Sequence, residues 1–375
     1  MKKQKVAVGL SGGVDSATSA ALLVKAGYDV TGVFLECWRA PGCPVEQDRK
    51  DALDVSLKLG IPFKVLDFKK HYHDTVVDYF YSEYKAGRTP NPDTMCNKEI
   101  KFGLFYDWAM KHGFDYVATG HYARIFSRNG LRVTSNDNPK PETRNSELFL
   151  ARGMDPKKDQ SYFLYQLRAN QLPHILFPIG HLTKKQVRSI AEKIKLPVAV
   201  KPDSQGICFI GPVNTKEFLK ERIKPKKGSV LNSEGVQIGT HSGAWYFTIG
   251  QRGGWQIDPG YQKLFTGKIK PLYIVDKNVN NNTIIVGHKK EILRDNFSIK
   301  SPHWIDKSYK LQVTSDKKLK VRIRHQGQLV PVKSFTRLRN TKYDIQTAKK
   351  IFAVAPGQVA VIYQGQTILG GGIIS

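Results

Sequence analysis

The chain has 375 residues, 40% of them hydrophobic, and a formal charge of +27 from 59 Lys and Arg against 32 Asp and Glu. That length exceeds one ordinary core, so two or three domains are expected, and the apolar content argues against a disordered chain. The charge calls for a polyanionic partner, nucleic acid rather than membrane, because no basic amphipathic helix stands out. The most apolar stretch, 351–374, is interrupted by Pro356, Gln358, Gln364 and Gln366 and cannot be a membrane span. Met1-Lys2-Lys3 leads straight into a short strand with no apolar signal region, so a cytoplasmic location is expected. Four cysteines, Cys37, Cys43, Cys96 and Cys208, are too few for a disulfide framework and include no Cys-x-x-Cys pair, which disfavours structural zinc.

Strand and helix patterns alternate from the start. Strands are expected at Lys5–Leu10, Asp29–Glu36, Phe63–Asp67 and Asp115–Thr119, with helices at Asp15–Ala26, Gln47–Leu59, His71–Lys85 and Glu99–His112. Gly27, Gly60, Gly87 and Gly113 follow these helices as stops. The pattern predicts a doubly wound parallel sheet, whose ligands sit beyond the carboxyl ends of the strands. Ser127–Ser146 is polar and reads as an exposed hairpin tip or insertion, and helical patterns resume at Ser161–Ala169 and Lys184–Lys195. After Pro225-Lys226-Lys227-Gly228 short alternating runs take over, at Tyr273–Val275, Thr283–Val286, Leu319–Arg324, Gln358–Tyr363 and Thr367–Gly370, which predicts an all-β tail closed as a small barrel.

The most informative segment is Gly9-Leu10-Ser11-Gly12-Gly13-Val14-Asp15-Ser16, set between the first strand and the first helix. Paired glycines there leave backbone N–H groups and a helix dipole facing one point, which suits a phosphate. A Walker loop is absent, since Gly267-Lys268 is followed by Ile269, and the dinucleotide fingerprint fails because Ser11 stands where its second glycine belongs. Gly9-Leu10-Ser11-Gly12-Gly13 satisfies the Gly-x-Ser-x-Gly elbow of hydrolases, but an elbow follows an interior strand with an oxyanion loop before it, and only a few residues precede this one. Ser-Gly-Gly-x-Asp-Ser remains, the pyrophosphatase loop of enzymes that split ATP into AMP and pyrophosphate.

Two cysteines lie in loops that suit chemistry. Thr89–Asn97 is stiffened by Pro90 and Pro92 and carries Cys96 just before the helix expected near Lys98-Glu99, where a dipole favours thiolate, with Asp93 three residues earlier as a proton carrier. Taken alone, Cys96 reads equally well as a buried inert cysteine. Asp203–Ile210 is a loop rich in small residues that carries Cys208, and two such thiols beside a nucleotide site suggest sulfur relay, one holding a persulfide that the other resolves. Cys37 and Cys43 read as bystanders, with a four-cysteine iron–sulfur site as the alternative. In the tail, Lys318, Lys320, Arg322 and Arg324 alternate with Leu319, Val321 and Ile323, so one strand face is expected to be basic; with Lys333, Arg337 and Arg339 it would contact RNA phosphates.

Several motifs in order resemble the bacterial tRNA-specific 2-thiouridylase family almost end to end: the loop at 9–16, Asn91-Pro92-Asp93 with Cys96-Asn97 and Ile100-Lys101-Phe102-Gly103, Thr119-Gly120-His121-Tyr122-Ala123, Lys158-Asp159-Gln160-Ser161-Tyr162-Phe163-Leu164, Ser204–Ile210, and Thr248-Ile249-Gly250-Gln251-Arg252. The resemblance implies an α/β pyrophosphatase domain over 1–200, a central domain over 201–272 carrying Cys208, and a tRNA-binding barrel over 273–375. It implies that ATP, with Mg2+, adenylates the C2 oxygen of the wobble uridine in tRNAs for Lys, Glu and Gln, and that sulfur then replaces it. Cys208 would hold the persulfide, delivered by a cysteine desulfurase or a sulfur-relay protein. Cys96 would be the catalytic thiol, leaving a Cys96–Cys208 disulfide to be reduced, and Asp93 the acid/base. Gly9, Leu10, Ser11, Gly12, Gly13, Val14, Asp15, Ser16, Leu35 and Gly120 map onto the ATP site, with Asp15 beside magnesium. Asn91, Pro92 and Asp93 map onto target-base contacts, and His121, Lys158, Asp159, Gln160, Arg324, His325 and Gln358 onto tRNA contacts. The chain departs from the family at Gly253-Gly254-Trp255, commonly Lys-Gly-Leu, and at His325, often Tyr. The rival readings are an amidating synthetase with the same loop, which needs no cysteine pair, and a basic RNA-binding protein without catalysis.

Overall fold

A computed structural model describes residues 3–39, 43–127, 147–203, 206, 208–211, 214–263, 270–309, 318–338 and 341–375. The polar insertion expected over 127–146 lies, apart from Ser127, outside these residues, as do Arg339, Ser204, Gln205 and Ile207.

The first sheet is parallel throughout, with strands β1 (Lys5–Gly9), β2 (Asp29–Glu36), β3 (Phe63–Asp67), β4 (Tyr116–Ala118) and, further along the chain, the short Ile175–Leu176. β1 lies at its centre between β2 and β4. Val6, Ala7 and Val8 are fully buried, as a strand covered by helices on both faces must be. Helices α1 (Val14–Lys25) and α2 (Val45–Leu59) follow β1 and β2. These elements match the expected ones to within two residues, and each of the four stop glycines has a positive φ.

The fourth helix differs. Instead of beginning at Glu99, a continuous helical run extends over 92–111. Asn91 caps it by accepting the Thr94 N–H at 3.2 Å, and Pro92 stands at the first helical position. An Asn-Pro pair is a start signal, because the proline lacks an N–H that would be orphaned there anyway. Cys96 therefore lies within a helix rather than ahead of one. The helix expected over Ser161–Ala169 is instead two short 3-10 turns, Ser161–Leu164 and Ala169–His174.

A second sheet contains Gly228–Leu231, Gln237–His241, Gln256–Ile257, Tyr273–Asn278 and Thr283–Gly287. Tyr273–Asn278 and Thr283–Gly287 pair with each other, and Thr283–Gly287 pairs with Gly228–Leu231, so the expected boundary at 272/273 falls inside this sheet; the tail begins after Gly287. There, six antiparallel strands, Leu293–Trp304, Leu319–Arg322, Val330–Arg337, Tyr343–Phe352, Val359–Gln364 and Thr367–Ile374, close into a barrel through pairing of the first with the last. Closure removes the free edges that invite aggregation. A hairpin from the N-terminal half, Ala123–Ser127 with Leu148–Arg152, joins the outside of this sheet where Ala151 pairs with Thr367.

The expected basic face on Leu319–Arg322 is only partly built. Lys320 is exposed, but Arg322 is buried and binds Asp159 Oδ2 at 2.9 Å. A guanidinium inside a barrel wall must meet a carboxylate there, and this one reaches back to the N-terminal half to find it.

Candidate active site

At the carboxyl end of β1 the chain turns through Ser11-Gly12-Gly13 into α1. Ser16 Oγ accepts the Ser11 N–H at 3.2 Å and donates to the Gly13 carbonyl at 3.1 Å, which fastens the loop to the helix start. Gly13 occupies the N-cap position without a side chain, leaving the first N–H groups of α1 open to an anion. Gly12 has φ +72°, and a Cβ there would lie 2.4 Å from the Asp48 carbonyl oxygen. At Gly120 a Cβ would lie 2.6 Å from the Ser16 nitrogen, so both loops owe their close approach to missing side chains.

The loop forms one wall of a cavity of about 560 Å³. Phe34, Leu35 and Phe105 supply apolar surface, and Lys101, Lys158, Lys184 and Lys201 bring four ammonium groups to its walls. Four carboxylates answer three of them. Asp15 is bound by Lys184 Nζ at 2.8 Å through both oxygens and by the Tyr122 hydroxyl at 2.8 Å. Asp203 takes Lys158, Lys184 and Arg188, which hold its carboxyl well below the usual carboxylate range against the opposing effect of burial. Lys201 pairs with Asp48 and Asp51. Nine of the ten residues expected at the nucleotide site, all but Gly12, line the cavity, and Gly12 shapes the same turn.

Cys208 opens onto this cavity, and behind it lies Cys96, fully buried, with the two sulfurs 3.4 Å apart. The backbone of Cys208 is held at both ends: its N–H donates to Asp93 Oδ1 at 3.0 Å, and its carbonyl accepts the Tyr72 hydroxyl at 2.6 Å. The three residues expected to do chemistry are thus brought together, over 115 positions of sequence. Their electrostatics reverse one expectation. Burial pushes the Cys96 thiol well above its ordinary value, and the neighbouring Cys208 adds to this. Cys208 moves down to about 7, through the hydrogen bond from Cys96 and the nearby Lys101 ammonium, despite burial. Cys208 is the more acidic of the pair, because Cys96 is fully buried and donates its hydrogen bond to Cys208, which also has Lys101 nearby. Burial also raises the Asp93 carboxyl, offset by the Cys208 N–H and by Lys101.

Cys37 and Cys43 are less remote than expected. Cys37 lines the same cavity, and Cys43 Sγ lies 4.0 Å from the Phe209 carbonyl oxygen. The four sulfurs do not converge as an iron–sulfur site requires. Among the described residues, the group of metal-ligating side chains with atoms within 4.8 Å of one another is His73, Asp74 and Asp78.

The residues expected at RNA divide into four sets. Asn91 and Pro92 begin the Cys96 helix, and Gln358 of the barrel donates to the Thr89 and Pro90 carbonyls at 3.0 and 3.4 Å, bracing the segment before it. Lys158, Gln160 and His121 line the nucleotide cavity; His121 is 6% exposed, bonds Thr119 Oγ1 at 2.8 Å, and is held neutral by burial and by Lys101. Asp159 is enclosed, accepting from Arg152, Arg322 and the Gly153 and Ser161 N–H groups. Arg324 is exposed over the Phe352 ring, and His325 packs on Phe163 with centroids 4.4 Å apart. Lys101, Tyr72, Tyr122 and Lys184 were not singled out by sequence; only Lys101 and Tyr122, inside recognisable motifs, offered a signal.

Residues 4–212 match a family described as a tRNA methyl transferase HUP domain, 216–288 a PRC-barrel domain of the same name, and 294–374 an aminomethyltransferase β-barrel domain. The tRNA-specific 2-thiouridylase MnmA of Streptococcus thermophilus is 42% identical over 99% of this chain and 95% of its own length. That of Streptococcus pyogenes serotype M1 is also 42% identical, with the same coverage. Among solved structures, a U34-tRNA thiolase from Methanococcus maripaludis is similar at 18% identity and a TM-score of 0.34, over 58% of this chain and 62% of that one.

Proposed function

The chain belongs to the tRNA-specific 2-thiouridylase family, and from that premise we propose that it replaces the C2 oxygen of the wobble uridine in tRNAs for Lys, Glu and Gln with sulfur, using ATP and a persulfide. The observation that carries this reading is the pair of sulfurs 3.4 Å apart at the wall of a nucleotide-sized cavity beside the Ser11–Ser16 loop. Methyl transfer, the word in two of the domain descriptions, has no use for adjacent thiols; sulfur relay does.

The loop N–H groups and Lys158, Lys184 and Lys201 of the cavity hold the ATP phosphates, and the uridine C2 oxygen attacks the α-phosphate. Pyrophosphate leaves, and a carbonyl oxygen becomes the oxygen of AMP, a far better leaving group. Cys208 carries the outer sulfur delivered by a cysteine desulfurase or relay protein. That sulfur forms the new bond to C2 and AMP departs. Cys96 then attacks Cys208 Sγ, so the S–S bond breaks toward the nucleotide, the product keeps the transferred sulfur, and the two cysteines remain as a disulfide that two electrons must reduce. Asp93, with its raised carboxyl, takes the Cys96 proton as the thiol attacks. Mg2+ would shield the charge of the nucleotide phosphates, and Asp15, the carboxylate of the loop, here engaged by Lys184 and Tyr122, would face it. No helix among the described residues is long and apolar enough to cross a membrane, consistent with action in the cytoplasm, where tRNA and ATP are found.

Mass spectrometry of tRNA nucleosides from cells lacking this chain tests the reading. Wobble 2-thiouridine derivatives should vanish and return with the gene; their persistence would sink it. An amidating rival predicts tRNA-independent pyrophosphate release, and a simple RNA binder predicts none.

A further inference from the structure

The cation nearest the sulfur pair has no part in the scheme above. Lys101 lies on the same helical run as Asp93 and Cys96, yet in a regular α-helix it would not share their face, since five residues of α-helix turn about 140° past a full circle. Hydrogen bonding over Asn97–Leu104 is π-helical, running from residue i to i+5, and such a turn brings residue 101 round beneath residue 96. The widened turn costs regularity in the middle of a helix, and such turns gather at functional sites for what they aim. Here Lys101 reaches the cavity wall beside Cys208, its Nζ 5.7 Å from the centre of the Phe209 ring.

No carboxylate within hydrogen-bonding distance neutralises this largely buried ammonium among the described contacts. The groups that face Cys208 are Cys96, Asp93 and Lys101 from the run 92–111, Tyr72 from the helical run 69–85, and Cys37 after β2. Of these only Lys101 is cationic. Burial works against its charge, but the charges of Cys208, Cys96 and Asp93 outweigh that and raise its proton affinity above the ordinary. A buried ammonium is tolerated where anions surround it.

Resting on the sulfur-relay reading, we propose that Lys101 is the positioning cation of the sulfur site: the π-turn aims its ammonium at Cys208, where it stays paired with one negative charge as that charge moves from thiolate to persulfide. The loading step is balanced. The Cys208 thiolate attacks the outer sulfur of a protonated donor persulfide, a Cys208–sulfur bond forms, the donor's S–S bond breaks, and the donor's inner sulfur leaves with the electron pair and takes the proton that the transferred outer sulfur gives up. The charge on the Cys208 side is −1 before and after, so a single fixed ammonium serves both states without rearrangement. A carboxylate partner would have removed it from this task.

The test uses the full chain without tRNA or ATP, so its failure is separable from failure of the thiolation reading. Iodoacetamide alkylation of Cys208, followed by peptide mass spectrometry from pH 5 to 9, gives the midpoint at which the thiolate forms. The wild-type midpoint is expected at about 7. Lys101→Met and Lys101→Gln are each expected to raise it by about one unit, slowing alkylation roughly fivefold at pH 7, and Lys101→Arg to keep most of the wild-type rate. A folded Met or Gln variant with an unshifted midpoint overturns the proposal. So does a wild-type midpoint near the ordinary cysteine value of about 8.5, with no variant needed.

Discussion

Two buried charge clusters adjoin the nucleotide cavity, and they behave oppositely. Around Asp159 every oxygen is satisfied: Arg152, Arg322, Gly153 and Ser161 supply the donors, and the side chain is 1% exposed. Around Cys208 the anion is a sulfur, the cation Lys101 has no dedicated carboxylate, and one side is open to 560 Å³ of cavity. A carboxylate with both oxygens engaged is fixed in one geometry, whereas an anion with a free side can exchange what it holds. Both clusters fall in motifs that looked functional in sequence; access to the cavity separates them.

The comparison breaks most severely at sulfur. Cys208→Ser and Cys96→Ser should each reduce 2-thiouridine in tRNA to background while leaving the fold intact; normal thiolation from either variant would end the distinction between the two clusters. Next comes Asp159→Ala, which strands Arg322 in the barrel wall and should cost about 3–5 kcal/mol in urea unfolding. Were Asp159 a tRNA contact instead, stability would hold and only binding would fall. Gly12→Ala forces the loop away from the Asp48 carbonyl, a strain of about 1–3 kcal/mol that should lower pyrophosphate release roughly 10- to 100-fold, with a loss of folding stability no larger than that strain.

A smaller effect concerns pH. Donors from Ser161, Arg152 and Arg322 lower the Asp159 carboxyl although burial opposes them. A group with a depressed folded value stabilises the protein above its unfolded value, about 3.9, and that contribution fades as pH falls through the folded value. Wild type should therefore lose more stability between pH 5 and 3 than Asp159→Asn does; parallel curves would show that the network carries no linkage. Smallest of all, Lys320→Ala should reduce the salt dependence of tRNA binding by about one unit of log–log slope if this exposed strand touches a phosphate.

The parallel sheet was legible because buried β-branched runs and stop glycines are local signals. The phosphate loop was legible for the same reason. The helix start at Asn91-Pro92 was equally local, and was obscured by reading two prolines as a stiff loop. Leu293–Trp304, Val330–Arg337 and Tyr343–Phe352, among the longest strands of the barrel, were missed because bulges break their alternation, between Arg294 and Asn296 and between Val332 and Ser334. Arg322 was misread because its partner lies 163 positions away, and nothing in a strand's own pattern reveals a carboxylate at that distance. Lys101 needed the π-turn, which no spacing rule anticipates.

The pairing of Asp159 with Arg322 also has a place in time. At synthesis rates of about 5–20 residues per second, the 163 positions between them take roughly 10–30 s to emerge. Through that interval the N-terminal half carries a carboxylate without its barrel guanidinium, and the hairpin at Leu148–Arg152 waits longer still for Thr367. The nascent N-terminal domain is thus left unfinished until the barrel arrives to complete it.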